Sequence, residues 1–437
     1  MTPSRRDFLK TVAVPMVAAP FVLPSDVWAA PPSGQVTMGF IGLGKQARGL
    51  MGSFLHRAKV VAVCEVDEKR RKSAQKTVEG HYARQKGTGF SGCKTYVDYR
   101  ELLEQKDINA VCIATPDHWH AAPTLLALKT GKDVYCEKPL THTLQEAIDV
   151  IKTCEEHKRV LQTGSMQRSM MEFRVACEIV RNGCIGKIQR VECSFGGPPK
   201  PCDLKEEQME PGLDWNMWLG PAPMRPYNST LSPRGNHGHF PRWRNYREYG
   251  TGGVGDWGAH HLDIAQWGLG MDESGPVEVK FTGKQATLVY DNGIPVIHKG
   301  GNNVQFFGSD GEVTVNRGKI KVVVKGKTIA SKMSRKDKTS TAAECVKAEK
   351  ALLKDAKIKL YNSKNHHDDF IQCIASRKPP ITSAQVGGRT VICCHLMNQL
   401  YFHKKPMKWD PKKFCFTEGT GDPKWMTKEY RDFDKAK

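Results

Sequence analysis

Apolar runs of four to six residues alternate with amphipathic segments between residues 36 and 158. The strand-like runs are 36–41, 60–64, 110–115 and 133–136, and the helix-like segments are 98–105, 121–130 and 143–158. Thr143 and Glu146 fit a capping box at the start of the last helix. Strands that alternate with helices predict a parallel, doubly wound sheet, so the expected fold class is α/β.

The pattern changes after residue 158 and predicts a second, larger domain. Lys187–Phe195 has a strand pattern, whereas residues 196–250 are rich in Pro, Gly, Trp and Arg and predict a long ordered loop. Further strand-like runs lie at 276–282, 285–290, 303–307, 311–316 and 319–324, and helical patterns lie at 252–268, 365–376 and 386–403. Residues 331–357 are rich in lysine and predict a mostly solvated insertion with a helix at 341–355.

The first thirty residues have the layout of an export signal. Paired arginines precede Phe8-Leu9-Lys10, a moderately apolar stretch continues to Trp28, and two alanines end the segment. This layout predicts a signal peptide over residues 1–30, and the arginine pair resembles the twin-arginine type, which carries folded proteins. We therefore expect a periplasmic or exported protein, and the alternative is a stray basic amphipathic start.

Composition is typical of a globular protein. Hydrophobic residues make up 39% and charged residues 26% of the 437 residues, which argues against disorder. No run of 18 or more apolar residues is free of charge and proline, so we expect no membrane-spanning helix. The fourteen cysteines include no C-x-x-C pair, and we expect buried thiols. One disulfide among Cys184, Cys193 and Cys202 is the alternative.

The formal net charge of +20 first suggests a polyanionic partner. Residues 311–357 hold thirteen basic and five acidic residues, so +8 of the total is local. No nucleic-acid reader fold or aromatic-interleaved basic groove is visible, and we expect no nucleic-acid partner. A solvated face is the favoured interpretation, with loose binding to an anionic surface or acidic glycan as the alternative.

A glycine-rich turn follows the first apolar run. Gly42-Leu43-Gly44-Lys45-Gln46-Ala47 is the G-x-G-x-x-A arrangement of dinucleotide-binding Rossmann domains. Gly42 would permit a tight turn, Gly44 would let the backbone approach a pyrophosphate, and Ala47 would let helix and strand pack closely. The phosphates would lie at the helix N-terminus, where free N–H groups favour anions. We therefore predict an NAD(P)-binding Rossmann domain over residues 34–157, with Lys45 and Gln46 in its phosphate-binding turn.

Acidic and polar residues lie at the ends of the following strand-like runs. Glu65 ends the second run, 18 positions after Ala47, and a carboxylate there favours NAD over NADP because it accepts from the ribose diol. An ordinary strand-end charge is the alternative for Glu65. Two further clusters, Thr115-Pro116 with His120 and Glu137-Lys138-Pro139, occupy corresponding strand ends. Ligands bind beyond the carboxyl ends of such strands, so these residues are further candidates for binding the cofactor.

These motifs resemble the glucose–fructose oxidoreductase / inositol dehydrogenase (Gfo/Idh/MocA) family. The matching segments are Gly42–Ala47, Ala114–Pro116 with His120, Glu137–Pro139, Gly252–Asp263, Asn365–Phe370 and Lys408–Pro411. The most specific is Glu-Lys-Pro joined to an Asp-x-x-x-His over a hundred residues later. Within the family the chain looks most like exported, twin-arginine-tagged members of unassigned substrate.

The resemblance implies a nucleotide-binding domain followed, over residues 158–437, by an α/β domain for substrate and assembly. Its sheet would be open and mainly antiparallel, and one face commonly packs against a second subunit, which implies a homo-oligomer, a dimer or tetramer. It also implies NAD(P)-linked chemistry at a CH–OH carbon of a sugar, glycoside or cyclitol. NAD is the expected cofactor, and NADP is the alternative.

Three residues are candidates for catalysis. Oxidation of an alcohol requires a base for the hydroxyl proton and a donor for the developing alkoxide. His260 suits the base, and Asp256, four residues earlier on the expected helix, would lie on the same face and orient the imidazole. Lys138 would be the donor to the substrate oxygen, and the family assigns these three positions in the same way and places Glu137 near the nicotinamide ribose. The alternatives are a surface Asp–His pair and a snorkelling lysine.

Candidate substrate contacts are less specific, and each is otherwise a packed or ion-paired residue. They are Arg168, Trp243, Arg244 and His261. The histidine pairs at 237/239, 260/261 and 366/367 lack the tight spacing of a zinc motif, so we expect no metal.

Three functions remain open. The first is an exported oxidoreductase of carbohydrate metabolism that holds its nucleotide tightly and recycles it, because the periplasm has no general NAD pool. The second is a redox-neutral enzyme that cleaves a glycoside by oxidation, elimination and reduction. The third, a non-catalytic sugar-binding protein, is disfavoured because Lys138, Asp256 and His260 are all present.

Overall fold

The structure is a computed structural model that describes residues 34–85 and 92–432. The predicted signal peptide at 1–30 lies outside the described residues. The strands are β1 Thr37–Ile41, β2 Lys59–Cys64, β3 Lys94–Tyr96, β4 Ala110–Ile113, β5 Asp133–Cys136, β6 Leu161–Thr163, β7 Ile188–Ser194, β8 Glu278–Thr282, β9 Gln285–Val289, β10 Pro295–Lys299, β11 Asn303–Gly308, β12 Gly311–Asn316, β13 Lys319–Val324, β14 Lys327–Lys332, β15 Met407–Asp410 and β16 Cys415–Thr417. The helices are α1 Lys45–Phe54, α2 Glu68–Ala83, α3 Tyr99–Leu103, α4 Ala121–Lys129, α5 Leu144–Glu156, α6 Met171–Arg181, α7 Trp215–Leu219, α8 Gly252–Asp256, α9 Gly258–Leu269, α10 Thr341–Leu352, α11 His366–Ser376 and α12 Ala384–His403.

The N-terminal sheet is parallel and doubly wound, with strand order β3-β2-β1-β4-β5-β6. This confirms the predicted Rossmann fold. Strand order reverses between β1 and β4, and ligands of such sheets bind in the crevice at that point. The sixth strand, Leu161–Thr163, follows residue 157, where the sequence placed the end of the nucleotide domain.

The C-terminal sheet has ten strands in the order β14-β13-β12-β11-β7-β10-β9-β8-β15-β16. Only the β7–β10 pair is parallel among its described pairings, so the predicted mainly antiparallel sheet is confirmed. Helices α6, α9, α10 and α12 pack against it. Helix α9 is buried along almost its whole length, because apolar and small residues occur on every side of it.

Two C-terminal helices return to the nucleotide domain and join the two halves. Helix α12 packs on both α5 and α9. Phe370 of α11 enters the core of the first domain, where its ring lies 6.1 Å from that of Phe54 and 5.8 Å from that of Tyr135. The first domain therefore completes its core with residues that follow the second sheet in sequence.

One expectation about the elements was wrong in part. Residues 252–268 do not form one helix, because α8 ends at Asp256 and α9 begins at Gly258. The lysine-rich stretch 331–357 is mostly exposed or half-buried, and the helix expected within it is α10. This helix packs on α6 and β14 through Cys345 and Ala348, the two buried residues of the stretch.

All fourteen cysteines are among the described residues and all are free thiols, eleven of them buried. The alternative of a disulfide among Cys184, Cys193 and Cys202 is therefore not found in the structure. Burial raises the pKa of Cys136 and Cys193 above the ordinary thiol value, which keeps both groups neutral. No helix within the described ranges is long and apolar enough to cross a membrane.

Candidate active-site cleft

A cleft of about 390 Å³ opens where the carboxyl ends of β1, β4 and β5 face the second domain. Most of the residues that the sequence nominated line this cleft. They are Gly42, Gly44, Lys45, Gln46, Glu65, Thr115, Pro116, His120, Glu137, Lys138, Trp243, Arg244, Asp256 and His260. Residues separated by more than two hundred positions therefore meet at one site.

The turn after β1 contains two glycines, and the reason for a glycine differs between the two positions. Gly42 has φ +81°, and a Cβ there would lie 2.8 Å from Thr115 Cγ2, so only glycine fits between β1 and β4. A Cβ on Gly44 would meet no described atom within 4 Å, so the protein itself does not require glycine there. Gly44 is also the N-cap of α1 and supplies no side-chain cap. The open space and the uncapped helix N-terminus fit a pyrophosphate that approaches the backbone closely.

Glu65 is fixed at the end of β2. Its Oε2 accepts from the Leu43 N–H at 2.7 Å, and its Oε1 accepts from the Asp67 N–H at 3.1 Å. The carboxylate thus holds the glycine-rich turn and still lines the cleft. Each oxygen retains a lone pair, so the group suits a ribose diol.

Arg70, on α2, bonds to residues 232–235 of the long loop at the end of the cleft where Glu65 lies. It donates to the Gly235 carbonyl at 3.1 Å, to the Pro233 carbonyl, and to Ser232 Oγ at 3.4 Å. These hydrogen bonds occupy the guanidinium of Arg70, so it is not available to bind the 2′-phosphate of NADP.

The segment 196–250, which we call the strap, contacts the junction between β2 and α2 in the first domain. It is largely irregular, as predicted. Glu68 N–H donates to the Gly212 carbonyl at 2.9 Å, and Asp214 N–H donates to the Val66 carbonyl at 3.1 Å. The strap thereby connects the second domain to the ribose end of the nucleotide cleft.

Glu137 and His120 connect the strand ends. Glu137 Oε1 accepts from Gln46 Nε2 at 2.9 Å, and burial raises the pKa of this carboxyl. His120 lies with Nδ1 2.6 Å from the Pro139 carbonyl and Nε2 3.0 Å from the Thr115 carbonyl. The buried ring of His120 therefore links the loop after β4 to the loop after β5, and it also borders the cleft.

Lys138 and Asp256 form the central ion pair. Lys138 Nζ lies 2.5 Å from Asp256 Oδ1 and 2.8 Å from the Asp256 carbonyl oxygen. Burial raises the pKa of Asp256, but Lys138 and Arg244 outweigh it, so the pKa falls below the ordinary aspartate value. The carboxylate is ionised at neutral pH and positions the ammonium group at the cleft wall.

His260 is close to this pair in sequence but is not oriented by Asp256. No hydrogen bond joins the two side chains in the described ranges, and His260 Nδ1 is buried there without a partner. The expectation of an Asp256–His260 pair was wrong, because the helix breaks at Trp257. Burial, with Lys138 and Arg317 nearby, lowers the pKa of His260 well below its ordinary value, so the imidazole is neutral.

Three nominated residues lie away from the cleft lining. Arg168 is buried and donates to Asp263 at 2.8 Å and to Asp272 at 2.7 Å, so this ion-pair network occupies the guanidinium instead of a substrate. His261 Nδ1 lies 2.8 Å from the Ser194 carbonyl, and burial lowers the pKa of its ring to about 4. Ala47 is fully buried under the turn, in the packing position expected of it.

The cleft also contains residues that the motifs did not single out for it. Arg317, in the turn between β12 and β13, lines the wall with its guanidinium 4.8 Å from the Trp257 ring centroid. Asp117 is buried, accepts from Thr251 Oγ1 at 2.8 Å, and has its pKa raised by burial to about 7. Arg317 lies in the basic stretch that was interpreted as a solvated face, and no local pattern distinguishes it.

The histidines do not assemble into a metal site. Among the residues described, no group of three or more His, Cys, Asp or Glu side chains has the arrangement of a metal site. His366 instead lies with Nε2 2.9 Å from the Thr163 carbonyl, and His237 Nδ1 lies 2.7 Å from the His239 carbonyl.

A Rossmann domain that faces a second α/β domain across one cleft defines the class of two-domain, nucleotide-binding oxidoreductases. Residues 36–165 match the family model described as "oxidoreductase family, NAD-binding Rossmann fold", and residues 200–433 match "oxidoreductase family, C-terminal alpha/beta domain". The chain therefore belongs to the Gfo/Idh/MocA oxidoreductase family, and its first domain is an NAD-binding Rossmann domain.

Curated relatives match over only part of this chain. An inositol 2-dehydrogenase of Arthrobacter sp. is 32% identical over 36% of this chain and 43% of its own. A 2,7-anhydro-N-acetylneuraminate hydratase of Mediterraneibacter gnavus is 28% identical over 28% of this chain and 31% of its own. A glycosyl hydrolase family 109 protein of Shewanella sp. (strain ANA-3) is 29% identical over 38% and 36%. The chain spans less than half of the length of each of these relatives.

Solved structures match over both domains. An aldose–aldose oxidoreductase from Caulobacter crescentus gives a TM-score of 0.56 at 17% identity, over 86% of this chain and 99% of its own. Levoglucosan dehydrogenase in complex with NADH and levoglucosan gives 0.57 at 19% identity, over 86% and 99%. At these identities the likeness shows the shared fold.

Proposed function

We propose that this protein is an NAD-dependent oxidoreductase that acts on a CH–OH carbon of a sugar, glycoside or cyclitol. The observation that carries the proposal is the position of the Lys138–Asp256 pair. The 2.5 Å contact lies in the same cleft as the glycine-rich turn and the neutral His260. A cofactor-binding turn, an ammonium donor and a base are the groups that alcohol oxidation requires.

The described residues fit NAD at the nucleotide end of the cleft. Gly44 and the N-terminus of α1 would hold the pyrophosphate, Glu65 the ribose, and Glu137 the nicotinamide side, as the family resemblance suggests. When bound, NAD supplies the hydride acceptor. The engagement of Arg70 with the strap favours NAD over NADP.

Proton handling falls to three side chains. The neutral imidazole of His260 accepts the hydroxyl proton of the substrate. Lys138 donates to the same oxygen as it gains negative charge, and its ammonium stabilises the alkoxide. Asp256 positions Lys138 rather than His260, which is the role that the observed contacts support.

The strap supports a tightly held and internally recycled cofactor. Its backbone bonds to Val66 and Glu68, and its carbonyls accept from Arg70, at the ribose end of the cleft. A segment of the second domain that covers this end would slow nucleotide release. Export of a folded, loaded protein by the twin-arginine route is part of the same proposal and is supported by the paired arginines near the N-terminus.

The second candidate is redox-neutral glycoside cleavage at the same residues. The names of two relatives, a hydratase and a glycosyl hydrolase family 109 protein, favour it. Transient oxidation would acidify the neighbouring C–H, elimination would release the leaving group, and addition of water and re-reduction would complete the cycle.

A screen of sugars, glycosides and inositols tests the proposal. The NAD-loaded protein is mixed with each compound, and the near-ultraviolet absorbance of reduced nicotinamide is followed while products are separated by chromatography. Net oxidation raises the absorbance lastingly, whereas the cleavage cycle gives free aglycone with no lasting change. If no compound alters the nicotinamide absorbance and none is converted to a product, the proposed function is wrong.

A further inference from the structure

Arg317 presents an open guanidinium to the catalytic end of the cleft. With the Gln167 amide in the orientation that satisfies both of its neighbours, Arg317 Nε donates to its oxygen at 3.3 Å and its nitrogen donates to the His260 carbonyl at 3.2 Å. Within the described ranges, no carboxylate lies within 4.0 Å of Arg317, and its two terminal nitrogens have no hydrogen-bond partner. Stacking on Trp257 at 4.8 Å holds the planar group and leaves its N–H edge available.

Arg244 is arranged in a similar way on the strap. Its guanidinium lies 4.2 Å from the Trp243 ring centroid and 5.2 Å from that of Phe240. Nη1 donates to the Pro241 carbonyl at 3.2 Å, and the contact to Asp256 is long, at 3.7 Å. Asp256 bonds Lys138 at 2.5 Å and keeps only this longer ion-pair contact with Arg244.

Other arginines of the region are engaged by the protein. Arg70 bonds three acceptors of the strap, and Arg168 bonds two aspartates. An arginine that only holds the fold is normally satisfied in this way. Arg317 and Arg244 differ because their forks face the cleft.

The charges around His260 are also unbalanced. Three cations lie there, namely Lys138, Arg244 and Arg317. Lys138 and Arg244 contact the ionised carboxylate of Asp256. Glu137 and Asp117 are the other acids near these cations, and burial raises the pKa of both carboxyl groups. A negatively charged ligand group would therefore be favoured beside Arg317, whose terminal nitrogens have no acceptor among the described residues.

We propose that the substrate is a sugar that carries an oxyanion, a carboxylate or a sulfate ester, which Arg317 and Arg244 bind. The inference rests on the proposed function and narrows its substrate class. Arginine forks match such groups with paired N–H donors. The nucleotide phosphates have a separate place at Gly44 and the N-terminus of α1, whereas Arg317 contacts Trp257 and Gln167 beside His260.

Calorimetric titration of the NAD-loaded protein tests the proposal without requiring turnover. The probes are glucose, galactose and mannose, each with its uronate and its 6-sulfate. We expect at least one charged sugar to bind about tenfold or more tightly than its neutral parent, because charged hydrogen bonds are strong. Arg317→Gln should remove most of that preference, and Arg317→Lys should restore part of it.

Arg335→Gln is the matched control, because Arg335 is an exposed arginine in the same basic stretch. It should retain the preference. The uronate and sulfate arms separate the two sources of the oxyanion. Equal binding of neutral and charged sugars, or no binding of any charged sugar, overturns the proposal.

Two further outcomes separate this inference from the proposed function. Arg317-dependent binding of a charged sugar with no reduction of nicotinamide supports the inference and counts against the oxidoreductase. Loss of NAD from Arg317→Gln with the sugar preference intact overturns the inference, because it would assign Arg317 to the nucleotide.

Discussion

At the scale of single residues, Gly42 and Gly44 look alike in sequence and differ in the molecule. Gly42 has a positive φ and is packed against Thr115, so it is required by the fold. Gly44 has open space beside it, so it is required only by something that enters the cleft. The pair therefore separates a structural glycine from a ligand-binding one.

Gly44→Ala should weaken NAD binding by about tenfold or more while leaving the melting temperature unchanged, because the new methyl group points into the space for the pyrophosphate. Gly42→Ala should instead lose at least about 1 kcal/mol of stability, since its φ is left-handed. Thermal unfolding and NAD titration of both variants provide the measurement. Unchanged NAD affinity in Gly44→Ala would contradict the assignment of the turn.

Lys138 tests the catalytic assignment. Lys138→Met should lower kcat/KM by about 100-fold or more, because it removes the donor to the developing alkoxide. Lys129→Met, at an exposed position on α4, is the control and should behave like the wild type. Bound NAD is quantified in both variants so that a loss of cofactor is not mistaken for a loss of chemistry. Full turnover by Lys138→Met would refute the role.

The low pKa of His260 gives a pH dependence with a definite sign. Burial favours the neutral ring, so the base form persists as pH falls through 6.5, the ordinary histidine value. The rate of sugar oxidation should therefore stay level through that range and decline only at lower pH. The measurement is kcat/KM for sugar oxidation across the acidic range. A fall in rate centred near pH 6.5 would show that His260 is not the buried neutral base.

The sequence identified Lys138, Asp256 and His260 as a group, but it did not predict which of these side chains contact one another. An Asp four residues before a His predicts one helical face, and this fails because the backbone N–H of His260 bonds the Trp257 carbonyl at 3.0 Å across the break between α8 and α9. Arg317 could not be predicted, since only the pairing of β12 with β13 carries that turn to the cleft.

At the scale of elements, the strap is the feature that links nucleotide and substrate regions. Its composition predicted a long loop, but it did not predict which part of the molecule the loop contacts. Its hydrogen bonds to Val66 and Glu68, between β2 and α2, join backbone groups, which no residue pattern reveals. The strands β12 and β13, by contrast, were predicted with correct bounds because both are short runs rich in Val, Ile and Thr that are separated by Arg317 and Gly318.

The attachment of the strap should control nucleotide exchange. Arg70→Ala removes the side-chain bonds to Ser232, Pro233 and Gly235 and should raise the release rate of bound NAD by about tenfold. Lys72→Ala, which removes an exposed pair with Glu68 on the same helix, is the control. Exchange against isotopically labelled NAD is the measurement. An unchanged release rate in Arg70→Ala would remove the support for a retained cofactor.

At the scale of the whole molecule, the charge of +20 has more than one source. Part of it lies on the outer side of α10 and the neighbouring strands, and one member of the basic stretch, Arg317, belongs to the cleft. The general excess is a property of the surface. Export and assembly into a dimer or tetramer stay predictions for the whole protein.

The central claim is that hydride passes between a sugar carbon and NAD in this cleft. Mass spectrometry of the nicotinamide, in samples quenched during turnover of a sugar deuterated at its carbinol carbons, tests it most directly. We predict deuterium in the reduced nicotinamide, lasting for net oxidation and transient for the cleavage cycle, and its absence in Lys138→Met. Turnover of the deuterated sugar with no deuterium in the nicotinamide would contradict the account.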